Sequence, residues 1–549
     1  MKFIIYQMLN RLWGNSGGGR VKGGSIEQNG TGTFASIDSE TFAHIKSLGA
    51  SYVWYTGIIR HATACRTRGC SPSDPSWVKG DAGSPYSIID YFDVNPYMAS
   101  DPDNRMAEFE DLVRRTHEAG LKVIIDFVPN HVARDYGRVS PGPIKDGRDA
   151  NGHPVLGAED DVTRHWLPEN DFFYYPGEKL KLPVKSGYSE YPAKATGNCY
   201  SSAPGINDWY DSVKINYCDF HTGTWNKMYE AVRFWAQKGV DGFRCDMVEL
   251  VPSAFLKWLI EQIKGEFPEV IFIGEIYNRS QYSNYVRKVG FDLMYDKSGL
   301  YDALRDIVRR NASADDGPVE EWQSTRRITG NWQYLGDLQP KVLNFLENHD
   351  EPRFPSPELA GNAEHCFPAL YASLFFNTAP FMLYFGEEVG ESGQDCEGMS
   401  GKNNRTTIFD WWKINSVSDL YESLHGRKRL DEKTYALLER YRRALSLAAS
   451  EPAITEGVTY DLCYCNLTSR GFDKDRHFAF LRHKDDTTLL FVCNFAGKDA
   501  DMDIYIPQHA FDWMALPQTC GFNPSVPVRV RVKAYDAVML RLDPDHGSV

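Results

Sequence analysis

Four apolar runs in this chain each end on ionisable residues, and their order restricts the fold more than any other feature. Asp126-Phe127-Val128-Pro129-Asn130-His131 closes the first and Gly242-Phe243-Arg244-Cys245-Asp246 the second. Phe272-Ile273-Gly274-Glu275 closes the third and Asn344-Phe345-Leu346-Glu347-Asn348-His349-Asp350 the fourth. Short apolar strands that finish in polar side chains are how a parallel β/α barrel presents chemistry at its C-terminal rim. On that reading Asp246, Glu275 and Asp350 point into one cleft.

The surrounding pattern alternates as a barrel requires. Residues 3–8 and 51–56 read as strands, with a helix over 40–49 between them and a long loop after them to about residue 104. A helix over 105–119 places Phe109, Leu112, Val113 and Thr116 on one face, and Gly120 supplies its stop. The unit recurs as helix 224–238, strand 240–246, helix 252–266 and strand 270–275; the last strand is Phe381–Phe385. Repeated units of this spacing imply a parallel sheet with right-handed crossovers. Between His131 and about residue 222 the alternation breaks into a stretch rich in Gly, Pro, Asp and Tyr, too long for a mere loop. From about residue 452 the period changes to two, as in Val528, Val530 and Val532 against Arg529 and Arg531. The chain is therefore expected to be α/β: a (β/α)8 TIM barrel from 1–131 and 223–450, an irregular insert after strand three over 132–222, and a C-terminal antiparallel β-sandwich over 451–549.

Composition excludes some partners. A net charge of −14 over 549 residues disfavours nucleic acid and anionic membrane, which select a basic face. No apolar run approaches the roughly 18 residues that span a bilayer. The amino-terminal apolar run is short and meets Asn10-Arg11 at once, which fits a core strand better than an export signal. The eleven cysteines, several in apolar strands, fit reduced thiols and a cytoplasmic protein. His61, Cys65 and Cys70 offer three zinc donors, one short of a structural site; a Cys65–Cys70 bridge or two free thiols fits them better.

Two or three carboxyls in one cleft suggest glycosidic chemistry. A retaining glycosidase pairs an ionised nucleophile with a protonated acid across the scissile bond. Arg244 lies two residues before Asp246, so both side chains leave the strand on one face, and the guanidinium is expected to keep Asp246 ionised. Cys245 points the other way, into the core. Any one of these segments alone reads best as structure; four in consistent order do not.

Together the four segments resemble the α-amylase family, glycoside hydrolase family 13, over essentially the whole chain. The resemblance implies a catalytic set of Asp246 as nucleophile, Glu275 as general acid/base and Asp350 as transition-state stabiliser. It also implies that Arg244, His131 and His349 surround the scissile sugar. In Pro85-Tyr86-Ser87-Ile88-Ile89-Asp90-Tyr91 it makes Tyr86 a stacking platform and Asp90 a further substrate-binding residue. The substrate it implies is an α-glucan or malto-oligosaccharide, cleaved by a hydrolase. A transglycosylase with the same machinery is the nearest rival, and a carbohydrate-binding protein without catalysis is the rival of another class, disfavoured by the intact acids.

The chain departs from the family at calcium, which many members bind between barrel and insert. Asn130 is present, but Lys214 stands in Val213-Lys214-Ile215-Asn216 where a carboxylate is expected, and Leu250 where a histidine is. A dication beside an ammonium is unfavourable. No cofactor is expected to be required, and that calcium site is expected to be lost. The Gly-rich segment 25–33 lacks most of the acids of a second metal loop, and Asp146, Asp149 and Asn151 before Gly152 read as a turn.

Overall fold

Eight short strands close into a parallel barrel in the computed structural model, which describes residues 2–218, 223–312, 318–394, 403–519 and 522–542. In chain order they are Ile4–Leu9, Tyr52–Thr56, Lys122–Phe127, Gly242–Cys245, Ile271–Gly274, Leu293–Tyr295, Val342–Phe345 and Phe381–Tyr384. Each pairs in parallel with its chain neighbours, and the first closes on the last through Ile4 opposite Phe381. The strands are apolar because both faces are covered, by the barrel interior and by helices outside. The helix Arg105–Glu118 buries Phe109, Leu112, Val113 and Thr116, the stripe its sequence predicts. Gly120 and Gly239, at φ 76° and 90°, end two of these helices in the left-handed region that glycine enters without strain.

Two features depart from the sequence reading. The sixth strand, Leu293–Tyr295, has only three residues and too little pattern to announce itself. The stretch after strand two is more than a loop: Ile59–His61 pairs antiparallel with Ile88–Val94, a seven-residue buried strand.

The irregular segment after strand three holds two small ladders, His131–Ala133 with Ser212–Lys214 and Tyr174–Tyr175 with Ala193–Lys194. Register places His131 opposite Lys214, so the segment leaves and returns beside the barrel rim. The expected boundary at residue 222 lies outside the described residues. After the helix Glu432–Ser450 come a four-stranded antiparallel sheet, built from Val458–Asp461, His477–Lys484, Thr487–Asn494 and Asp536–Arg541, and a two-stranded one of Ala500–Ile504 with Val528–Val532. Phe491 stacks on Phe375 of the barrel's outer helix at 4.7 Å, which docks the larger sheet. No helix among the described residues is long and apolar enough to cross a membrane.

Candidate active site

Register assembles the site. Arg244 on strand four lies opposite Asp126 on strand three and Ile273 on strand five. One residue beyond Cys245 and Gly274, which pair, come Asp246 and Glu275; their amides still bond across the rim, Asp246 N to Phe127 O at 2.9 Å and Glu275 N to Cys245 O at 3.0 Å. Both carboxyls therefore start level on adjacent strands. Arg244, fully buried, reaches both: Nη1 is 2.8 Å from Asp246 Oδ1 and Nη2 is 2.8 Å from Glu275 Oε2. The second contact is an ion pair without an aligned hydrogen bond, since Nη2 points its protons elsewhere. The same guanidinium lies 3.6 Å from Asp126 Oδ1 and 4.0 Å from Asp350 Oδ2. Rings of Trp54, Tyr86 and Tyr295 surround it at 5.3–5.6 Å, so the cation is held in a cage of π-faces.

Charge is the organising problem here. One buried cation faces four carboxyls, so acids this close titrate together. Burial and the Glu275 carboxylate push Asp246 up, against the pull of Arg244. Burial is the larger influence, and the Arg244 guanidinium that opposes it is shared among four acids. Burial also pushes Asp350 up, but His349 and Arg244 more than reverse it and leave that acid well below its ordinary range. His349 Nε2 sits 3.1 Å from Asp350 Oδ2 and 2.5 Å from Tyr86 Oη. Glu275 is gripped on both oxygens: Met247 N donates to Oε2 at 2.9 Å and Tyr277 Oη to Oε1 at 2.8 Å. Met247 takes φ 44° to aim that N–H.

Asp246, Glu275, Asp350, Tyr86 and His131 all line one cleft of about 380 Å³ at the barrel's C-terminal end. Burial pushes His131 down to about 4, so its ring is neutral near pH 7. Arg244 and His349 lie beneath the surface and act on the lining acids. Tyr86 stacks on His349 at 5.3 Å, and its hydroxyl also donates to Asp126 at 3.2 Å. Asp90 is a correction. Tyr91 beside it turns toward the barrel and bonds Val128 O, so Asp90 faces away, and its carboxylate accepts the Phe92 N–H at 2.9 Å. Tyr86 precedes the strand in a turn, and the alternation that carries Asp90 does not start from it.

Several site residues escaped the sequence reading. Asp126, the first letter of its motif, accepts from Trp54 Nε1 at 3.1 Å and Gly57 N at 3.3 Å beneath Arg244. Tyr277 follows Glu275 by two, the same-face spacing that had marked Arg244, and could have been found. Lys79, Trp209, Asp211 and Arg405 also line the cleft from loops; Lys79 and Asp211 pair at 3.0 Å.

The sequence's metal candidates hold no cluster. Lys214 Nζ, buried, donates to Asn130 Oδ1 and, at 2.7 Å, to Leu250 O, joining the inserted segment to the rim. His61 bonds Tyr97 Oη at 2.9 Å, and Cys65 and Cys70 are free thiols in contact with each other. Asp149 caps its own turn through the Asn151 and His153 amides. Among the described residues no three His, Cys, Asp or Glu side chains are grouped to hold a metal.

A closed parallel barrel with acids converging at its C-terminal rim is the architecture of a TIM-barrel enzyme. More specifically, the chain belongs to the alpha-amylase family: the alpha amylase catalytic domain matches residues 24–149 and 214–416, more than half its length. It is 26% identical over 319 residues to "Alpha-amylase 3" of Dictyoglomus thermophilum, covering 56% of this chain and 54% of that protein. It is 22% identical over 560 residues to an oligo-1,6-glucosidase of Halalkalibacterium halodurans, covering 84% and 86%. The chain spans 42% of the cyclomaltodextrin glucanotransferase of Bacillus licheniformis that it matches; it spans about half the length of most curated relatives. An Anoxybacillus alpha-amylase structure shares the fold with a TM-score of 0.63 at 17% identity, over 100% of this chain and 99% of that one.

Proposed function

We propose that this protein is a retaining glycosidase that cleaves α-glucosidic bonds in α-glucans or malto-oligosaccharides. The observation that carries this is the pair Asp246 and Glu275, level on adjacent strand ends and each 2.8 Å from one guanidinium. Side-by-side carboxyls suit a covalent, retaining route; an inverting one needs room for a water between them. Asp246 attacks the anomeric carbon as Glu275 gives its proton to the departing oxygen. Water then enters, Glu275 takes its proton, and the sugar leaves Asp246. Asp350, held ionised by His349 and Arg244, faces the positive charge that develops on the ring. His131, neutral, and Tyr86 hold the sugar. The relatives named for amylase and glucosidase activity favour this reading.

The transglycosylase alternative has its own support in the glucanotransferase relatives; in it a sugar hydroxyl replaces water at the second step. Proton NMR on maltotetraose, pullulan, trehalose and sucrose tests both. The α-anomer is expected first. Initial β-anomer excludes the double-displacement route, and products longer than the substrate mark transglycosylation.

Activity is proposed to need no calcium, because the Lys214 ammonium already occupies Asn130 Oδ1 and Leu250 O. A reducing, cytoplasmic setting is supported by the nine free cysteines among the described residues. The acidic net charge favours neither nucleic acid nor membrane as partner.

A further inference from the structure

We infer that Trp166 and Tyr200, outside the cleft on the inserted segment, form a second docking platform for an α-glucan chain. The inference rests on the glycosidase reading for the identity of the ligand. Both rings are exposed, at 44% and 41%, and they touch, with centroids 5.7 Å apart and planes 35° from parallel. Phe173 supports them from below at 5.0 Å and 5.4 Å.

Their backbones make the case. Among the described residues only nine positions other than glycine take a positive φ, and two of them are Trp166 (57°) and Tyr200 (48°). A bulky side chain in that region is strained, and such strain concentrates at binding sites. The two residues are 34 apart in sequence, yet both bend the same unfavourable way to bring their rings together at the surface. The Tyr200 ring also covers the Lys214 ammonium at 5.3 Å, which anchors the pair to the inserted segment while both residues stay exposed.

The chemistry selects a sugar. The apolar faces of glucose units stack on aromatic rings, while their hydroxyls need polar neighbours. Those neighbours are present: the exposed His165 ring is 5.4 Å from Trp166, and Ser202 Oγ bonds Glu178 Oε2 at 2.6 Å close by in the chain. The platform is also tied to the cleft through the backbone. Gly197, three residues before Tyr200, lies so close to His131 that a Cβ there would sit 3.1 Å from the His131 Cβ. From the same turn Asn198 Oδ1 accepts the amide of Trp209, whose ring lines the cleft 5.1 Å from His131. The turn at 197–200 thus holds the cleft's Trp209 through Asn198 and carries Tyr200 of the platform, which ties the two aromatic surfaces together through one stretch of backbone.

The test compares long and short substrates. Trp166→Ala is expected to weaken sedimentation with starch granules about tenfold, the loss typical of truncating an aromatic anchor. It should raise KM for amylopectin while kcat/KM for maltotriose stays at the wild-type value, and Trp166→Phe should restore most of the binding. Wild-type hydrogen exchange gives a reading that does not depend on any variant folding: β-cyclodextrin should slow exchange over residues 163–168 and 198–202. Maltotriose hydrolysis with undiminished granule binding by Trp166→Ala, or no slowing of exchange, overturns the platform and leaves the glycosidase reading standing. A wild-type protein that neither hydrolyses any α-glucan nor sediments with starch overturns both.

Discussion

Replacing Lys214 by Met should loosen the inserted segment far more than its single charge suggests. The Lys214 ammonium is 3% exposed as a residue and gives its protons to two carbonyl oxygens, Asn130 Oδ1 and Leu250 O, with the Tyr200 ring 5.3 Å above it. Methionine fills the space but donates nothing. Each buried acceptor left bare costs about 1–3 kcal/mol. Against this, the wild-type protein bears the desolvation of a buried cation, which pushes the ammonium down to about 7; relief of that burden returns part of the loss. The net expectation is a destabilisation of about 2–4 kcal/mol, confined to the junction of insert and rim. Calorimetry at pH 6.5 should show the first transition falling by several degrees, and limited proteolysis should cut first within 134–211. Wild-type unfolding and initial rates should be unchanged by EDTA. Unfolding of Lys214→Met at the wild-type temperature would falsify the bridging role, and a wild-type loss on chelation, restored by calcium, would show that a metal holds this junction instead.

Other expectations follow from the same geometry. Asp246→Asn and Glu275→Gln should each remove turnover by about a thousandfold or more with circular dichroism unchanged; a tenth of the activity surviving in Asp246→Asn rules out its role as nucleophile. Asp90→Asn should leave KM for maltotetraose within about twofold, the small effect expected where a side chain faces away from the cleft; a tenfold rise would restore Asp90 to the substrate. Glu347 and Glu387 should contribute a stability that falls as pH rises from about 5 to 8, against the opposite slope from His131 and Lys214. Burial pushes Glu347 up to about 7 and Glu387 well above its ordinary range, so the folded state binds protons that the unfolded state has released, and that contribution is lost as pH passes through the folded values. The advantage of the wild type over Glu387→Gln in thermal unfolding should shrink across that range; a difference that does not change with pH assigns the contribution elsewhere.

What the sequence made legible is what barrel physics writes locally. A parallel strand buried on both faces needs a continuous apolar run, and a rim residue must be polar at its end, so strands three, four, five and seven announce themselves within six or seven letters. The same logic failed where a strand is too short to hold a pattern, as at Leu293–Tyr295. Asp90 came from the family resemblance, and the strand Ile88–Val94 that turns it from the cleft lies in a stretch the sequence reads as loop. The loop residues Lys79, Asp211 and Arg405 reach the cleft from three segments that only the folded chain brings together, and nothing local marks them.

The charge state of the site was illegible for a different reason. Sequence spacing pairs Arg244 with Asp246 because they share a strand face, and that pair exists at 2.8 Å. Yet register adds Asp126 from one neighbour strand and Glu275 from the other, and the seventh strand's end adds Asp350, so one guanidinium answers to four acids. A fixed one-to-one pair would pin Asp246 ionised and leave nothing to move. With the cation shared, burial and the neighbouring Glu275 carboxylate prevail over it and push Asp246 up. The His349 contact sets Asp350 apart by holding it ionised, so two acids beneath one cation, Asp246 and Asp350, are driven in opposite directions by what lies beside them.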